Sequence, residues 1–276
     1  MKATITSPSG RQIKNIQLLL EKPRYRRETS LFVAEGIKMF LEAPEDMIDT
    51  VYVSEEFSNK SIHMDRVARH QYEVVADHVF SKMSATQTPQ GVLTVLKQPI
   101  YNVHELLYGK KRIYTSTPAG DERIKENALF LILNRVQDPG NLGTMIRTAE
   151  AAGAAGVLLD RECADIFNPK VIRSTMGSVY RVPFAVAEDM SSAIREMKEA
   201  GVHMVAAHLK GQEYYSEVDY SGAVGIMIGN EGNGLSEELS AMADTLVRIP
   251  MDGRVESLNA AISAALFMYE VKRRRI

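Results

Sequence analysis

Cysteine is nearly absent from this 276-residue chain: the one thiol, Cys163, can close no intramolecular disulfide and gives no ligand spacing for a metal. That fits a reducing, intracellular setting. Long apolar runs are missing as well. No stretch approaches the roughly 20 residues of a membrane span, and Met1-Lys2-Ala3-Thr4-Ile5 has no apolar core like that of a signal peptide. The expectation is a cytoplasmic protein with no membrane partner. An excess of charge is lacking too: the net charge is −2, so the chain as a whole does not advertise nucleic-acid binding. The six histidines, His63, His70, His78, His104, His203 and His208, are scattered without metal-ligand spacing, and no metal is expected. There is no Gly-x-Ser-x-Gly elbow, no dinucleotide fingerprint and no lysine-bearing phosphate loop. Serine hydrolase, metallohydrolase and nicotinamide chemistry are therefore set aside.

What is present is ordinary globular composition, 45% hydrophobic and 25% charged, at a length that allows one large or two modest domains. Residues 1–107 alternate helical and extended patterns. A helix is expected over Ser9–Glu21 with Ser9 as N-cap, and strands at Leu31–Ala34, Thr50–Val53, Glu73–Val75 and Gly91–Leu96. Helices are expected at Glu35–Ala43 and near Ser61–His70. Residues 108–127, with Thr117-Pro118-Ala119-Gly120 and no apolar periodicity, read as a linker. From 128 to 276 strands and helices alternate: Leu129–Leu133, Gly156–Leu159, Arg181–Val186, Val202–Ala206, Gly225–Ile228 and Thr245–Ile249 are the strands. Helices are read over Asn141–Ala152, Met190–Ala200 and Leu258–Arg274. Such alternation predicts a mostly parallel sheet covered by helices. The fold class is thus α/β, with a smaller α/β domain in front.

Ligands in open α/β sheets sit beyond the C-terminal ends of strands, and three junctions there are rich in small or polar residues. The first runs from Asn134 to Arg147, with Pro139-Gly140 forcing a turn and Asn141 placed to cap the next helix. The second, Gly229 to Ser236, has three glycines through which a ligand can approach the backbone, and a Glu231 suited to a cation or hydroxyl donor rather than a phosphate. Ser236 is placed to cap the helix that follows. The third joins Ile249 to Asn259, where capping accounts for Ser257 or Asn259 but hardly for both. The small face Ala260-Ala261-Ile262-Ser263-Ala264-Ala265 permits close approach of the sheet or of a second subunit.

Charge is locally uneven. Arg11, Lys14, Arg24, Arg26 and Arg27 cluster near the N-terminus around Tyr25, Lys170 and Arg173 lie on a later polar segment, and Lys272-Arg273-Arg274-Arg275 is a basic run. Any of these can contact phosphates or be ordinary solvated side chains.

Taken together, Asp138-Pro139-Gly140-Asn141-Leu142-Gly143 with Arg147, then Ile228–Ser236, then Ile249-Pro250-Met251 with Glu256–Ala260, resemble the three motifs of the SpoU (TrmH-like) family of RNA ribose 2′-O-methyltransferases. The resemblance covers roughly residues 128–274; Phe32-Val33-Ala34-Glu35-Gly36 more loosely resembles the family's substrate-binding domain. It implies a deep trefoil knot of the SPOUT type, which periodicity could not reveal. It also implies S-adenosylmethionine as cofactor, contacted by Gly229, Ile249 and Leu258, and a homodimer through the knotted domain. The catalytic set would be Arg147, Asn141, Glu231, Ser257 and Asn259. The expected substrate is structured RNA, ribosomal rather than transfer RNA, held partly by Arg11, Lys14, Arg24, Arg26, Arg27, Lys170 and Arg173. The alternatives are a transfer-RNA 2′-O-methyltransferase and a non-catalytic ribosome-assembly factor on the same fold.

Overall fold

The computed structural model describes residues 4–99, 101–109, 124 and 126–276, so most of the expected 108–127 linker lies outside the described residues. The chain divides into two compact units, Met1–Pro99 with Asp165–Tyr180, and Ile100–Ala164 with Arg181–Ile276. The segment 165–180, which periodicity alone kept with 128–276, therefore packs in the first unit.

The first unit is built on a five-stranded sheet in the order β1-β4-β3-β5-β2. Its strands are β1 Thr4–Ile5, β2 Leu31–Glu35, β3 Ile48–Ser54, β4 Tyr72–Val75 and β5 Val92–Lys97. β5 runs antiparallel to β2 and β3, and β4 runs parallel to β1 and β3. The helix Arg11–Glu21 presents Ile13, Ile16 and Leu19 to a core with Val33, Tyr52, Phe80 and Leu93, as its period predicts. Gly10 occupies the N-cap position expected of Ser9, whose hydroxyl instead meets that of Ser7 at 2.9 Å. The helix expected over Ser61–His70 is replaced by two short ones, Glu55–Lys60 and Met64–Val67, the first capped by the Ser54 hydroxyl.

The excursion 165–180 is fastened by a buried arginine. Arg26 donates through Nε and Nη2 to Asp165 Oδ2 at 2.8 and 2.6 Å, and through Nη1 to the carbonyls of Leu19 and Leu20 at 2.6 and 3.1 Å. Its side chain is 2% exposed. The helix Pro169–Thr175, capped by Asn168, then packs on β2, with the Phe167 and Phe32 rings 4.9 Å apart.

The second unit holds a seven-stranded sheet in the order β10-β12-β9-β11-β6-β7-β8, parallel at every pairing. The strands are β6 Leu129–Leu133, β7 Gly156–Asp160, β8 Phe184–Ala187, β9 His203–Ala207, β10 Glu213–Tyr214, β11 Val224–Ile228 and β12 Thr245–Arg248. β6, β7 and β11 are buried at every position, which requires helices on both faces. The strand expected from Arg181 begins only at Phe184, because Pro183 has no amide to donate; its carbonyl accepts from Val157 instead. Helices Pro139–Ala152 and Ala260–Arg273 pack on each other and cover β6, β7 and β11.

The basic C-terminal run is tied to groups of its own unit, although Arg273 and Arg274 stay exposed. Arg275 donates to the carbonyls of Asn127, Tyr220 and Gly222, and Lys272 to that of Ala151. Arg273 and Arg274 both reach Glu270 at 2.8 Å, and their hydrogen bonds hold its carboxyl at about 2 despite burial. Among the described residues no helix is long and apolar enough to cross a membrane, and no group of three metal-ligating side chains forms.

Replacing Arg26 by alanine removes the partner of the partly buried Asp165 carboxylate and of two carbonyls, and should cost about 3 kcal/mol of unfolding free energy in a urea titration. Arg24→Ala, which removes only an exposed pair with Glu28, should leave the midpoint nearly unchanged.

Candidate active site

Strand order in the second sheet reverses at β6. The chain first builds outward through β7 and β8, then returns to lay β9 and β11 on the other side. The loops leaving β6 and β11 therefore start side by side at the C-terminal strand ends, the end of such sheets where ligands bind. The buried Asp160 carboxylate sets the first loop. It accepts from the Asn134 side-chain amide and, at 2.9 Å, from the Arg135 amide. Asp138, not Asn141, caps the following helix, accepting from the Asn141 amide at 2.8 Å with Pro139 in the first turn.

That substitution of caps frees the Asn141 side chain for long-range bonds. Its Nδ2 donates to Glu231 Oε1 at 3.1 Å, and its Oδ1 accepts from Asn259 Nδ2 at 3.0 Å. Glu231 also accepts from the backbone amides of Gln137 and Asp138 at 3.2 and 3.1 Å. Partial burial raises the Glu231 pKa, but the hydrogen bonds from Asn141 and the backbone amides outweigh it, holding the carboxyl below its ordinary value. Asn259 meanwhile accepts from Ala261 and Ile262 amides as the cap of its own helix. One asparagine thus does the capping, and Ser257 is left exposed on the adjoining loop.

The glycine-rich loop folds back on itself through a bridge between Asn230 and Gly234, and Asn230 Oδ1 accepts from the amides of Gly232 and Asn233. A Cβ on Gly229 would lie 2.0 Å from the Gly234 carbonyl carbon, so only glycine fits there. Ser236 caps the next helix as expected, accepting from Leu239 at 3.3 Å.

The second and third loops border a cavity of about 750 Å³ lined by Gly229, Ile249 and Leu258, together with Glu231 and Ser257. The cavity has a third wall that sequence reasoning missed, Ala207 to Lys210. There the His208 amide donates to the Val247 carbonyl at 2.8 Å, and a Cβ on Gly211 would meet Val247 backbone at 2.6 Å. A single glycine after a buried strand was its only mark in the sequence. Ile228, Leu235, Ile249 and Leu258 offer apolar walls, while Glu231, Glu256 and Lys210 offer charges of both signs. This mixture fits a flat-ringed, zwitterionic sulfonium ligand better than a polyphosphate.

Asn141 and Asn259 also line a groove of about 540 Å³ between their two helices, with Thr144, Ile262, Leu266 and Tyr269. Arg147 is not brought to either cavity. It stands exposed on the Pro139–Ala152 helix, without a hydrogen bond or ion pair among the described residues. Of the expected RNA contacts, Arg11, Lys14, Arg27, Lys170 and Arg173 are exposed in the first unit, and Arg24 is exposed but paired with Glu28. Arg26 is a correction: buried against Asp165, it has no surface to offer a phosphate.

A cavity beyond the C-terminal strand ends of a parallel sheet, walled by glycine-rich and polar loops, is where open α/β folds bind their ligands. Residues 128–269 match the SpoU rRNA Methylase family, and residues 10–94 the MRM3-like substrate binding domain. The chain belongs to the SpoU rRNA methylase family. It is similar to the 23S rRNA (guanosine(2553)-2'-O)-methyltransferase RlmP of Bacillus subtilis, with 31% identity over 97% of this chain and 98% of the relative. The AdoMet-bound rRNA methyltransferase from Sinorhizobium meliloti is 34% identical and superposes with a TM-score of 0.85, covering 99% of this chain and 98% of that one. The SpoU methyltransferase AviRb from Streptomyces viridochromogenes, at 24% identity and TM-score 0.83 over 96% of this chain and 98% of that one, shares the fold. The knotted SPOUT-type fold with an N-terminal α/β domain and the cofactor S-adenosylmethionine, both implied by the resemblance, are borne out.

Glu231 generates a pH prediction. Its folded pKa lies below the 4.5 of a free glutamate, so its stabilisation is fully present above that value and is lost as pH falls through the folded pKa. In urea titrations, wild type should exceed Glu231→Gln in stability near neutrality, and the gap should shrink as the pH falls below the ordinary glutamate value.

Proposed function

We propose that this protein transfers a methyl group to a ribose 2′-hydroxyl of structured ribosomal RNA. The observation that carries the reading is the hydrogen-bonded chain Asn259–Asn141–Glu231, which joins three sequence-distant loops beside a cavity of the right chemistry. Bound S-adenosylmethionine supplies an electrophilic methyl on a positively charged sulfur. The chain's own task is to align a hydroxyl with it and to ease loss of a proton. Glu231, kept ionised by its hydrogen bonds, and Asn141 hold the loops and the ribose in register. Ser257 and Asn259 shape the wall where cofactor and ribose meet, and Gly229, Ile249 and Leu258 hold the cofactor. Arg147 binds the phosphate beside the target ribose and stabilises developing alkoxide character.

Ribosomal RNA is favoured over transfer RNA because the full-length relative that acts on 23S rRNA aligns with 97% of this chain, its N-terminal unit included. In that unit Arg11, Lys14, Arg24, Arg27, Lys170 and Arg173 supply phosphate contacts. The working location is the cytoplasm, where ribosomal RNA and a reduced Cys163 both belong. The working form is a homodimer through the knotted unit: Ile262 and Tyr269, 54% and 48% exposed, line the apolar groove between the two helices.

Arg147→Ala should lower methyl transfer from labelled cofactor to unmodified ribosomal RNA transcripts by about 100-fold or more, with calorimetric cofactor affinity nearly unchanged. Near-normal turnover would sink the assignment. For the dimer, Ile262→Glu with Tyr269→Glu should sediment as a monomer where wild type sediments as a dimer; a wild type that is monomeric at micromolar concentration overturns it.

A further inference from the structure

Arg135 is one of three described non-glycine residues with positive φ, at +56°. In that conformation a side chain crowds its own backbone, and glycine would be the relaxed choice. The backbone there is held from both sides. The Arg135 amide donates to Asp160 Oδ2 at 2.9 Å, and its carbonyl accepts from Asn230 Nδ2 at 2.8 Å. The side chain does nothing comparable. It is half exposed and, among the described residues, reaches only Glu162, itself 61% exposed, at 2.8 Å, a surface pair of the kind that contributes little to stability.

The guanidinium borders a second cleft, of about 440 Å³, on the other side of the glycine-rich loop from the cofactor cavity. Gln137, Glu162, Asn233, Ser236 and Glu237 complete its polar lining. It adjoins the catalytic cluster directly, since the Gln137 amide is bonded to Glu231 and Asn230 forms part of both walls. Two carboxylates against one arginine make this a poor seat for a phosphate. They suit a ligand that presents N–H donors at its edge and a flat face to a guanidinium plane.

We propose that this cleft receives an unstacked nucleobase of the substrate RNA. Arg135 leaves Glu162 to stack on the base, and Glu162 turns to the base's N–H edge with the Gln137 and Asn233 amides. Arginine planes and amide or carboxylate edges are the means by which single-stranded bases are held in proteins. The inference rests on the RNA methyltransferase reading above and adds a specificity site to it. It also accounts for an arginine at a position whose backbone favours glycine.

The test compares wild type with Arg135→Gly and Arg135→Lys on unmodified ribosomal RNA transcripts. Arg135→Gly relaxes the backbone, so it should melt no lower than wild type and bind S-adenosylmethionine equally well. Its KM for the RNA should nevertheless rise about 5- to 100-fold, the range for losing one stacked base, with kcat changed far less. Arg135→Lys keeps the charge but not the plane, and should show most of the same KM defect. The slope of log affinity against log salt should stay at its wild-type value for both. A full rescue by lysine, or a slope smaller by about 0.7 in Arg135→Gly, would assign the arginine to a phosphate and overturn the base pocket. An unchanged KM in Arg135→Gly overturns it as well. If wild type itself transfers no methyl group to RNA, it is the underlying enzymatic reading that fails.

Discussion

Asn141 is the side chain on which the arrangement of the site turns. Its amide spans to Glu231, 90 residues away in sequence, and to Asn259, 118 away, so one planar group fixes the separation of three loops. None of those loops is held by a sheet at that point, and each would otherwise be free to pay its own ordering entropy. The network is possible because Asp138 takes over the helix cap. Had Asn141 capped, its oxygen would be occupied locally and the Asn259 loop would have nothing to dock against. Glu231 closes the arrangement from the other side by gathering two amides of the first loop, a geometry that also keeps it charged.

Much of this was legible in residue order. Buried strands such as Leu129–Leu133 and Val224–Ile228 announce themselves as continuous apolar runs, and glycine or asparagine clusters at their ends mark where ligand loops belong. What was not legible follows from physics that periodicity does not encode. Capping choice between Asp138 and Asn141 depends on where the chain enters the helix, which both residue types permit equally. The Ala207–Lys210 wall has no compositional signature, because its role comes from lying against Val247 rather than from its side chains. Arg26 and Arg27 are adjacent and chemically identical, yet one is buried and the other exposed; only the packing of Leu19 and Asp165 decides between them. The basic C-terminal run misleads for a related reason: Arg275 and Lys272 serve carbonyls left open by loops and helix ends.

The two units divide labour in a way the charges reflect. Among the described residues, exposed basic side chains such as Arg11, Lys14 and Arg27 lie on the first unit, while several arginines of the second stand in pairs, as with Arg135 and Glu162 or Arg161 and Glu188. Arg147, exposed on a helix surface, is one of the charges of the second unit outside these pairs among the described residues, as is Arg254.

The excursion fastened by Arg26 has a consequence for synthesis on the ribosome. The first unit is discontinuous: its sheet is complete at Lys97, but the helix that covers β2 and the carboxylate that neutralises Arg26 arrive only with Asp165–Tyr180. At the usual elongation rate of about 5–20 residues per second, the emerging N-terminal half waits roughly 4–16 s with an unmatched guanidinium inside it. During that interval β6 and β7 of the second unit also leave the exit tunnel. The first unit can therefore close only after part of the second has been made, although the second needs its own last helix, Ala260–Arg273, before it is complete.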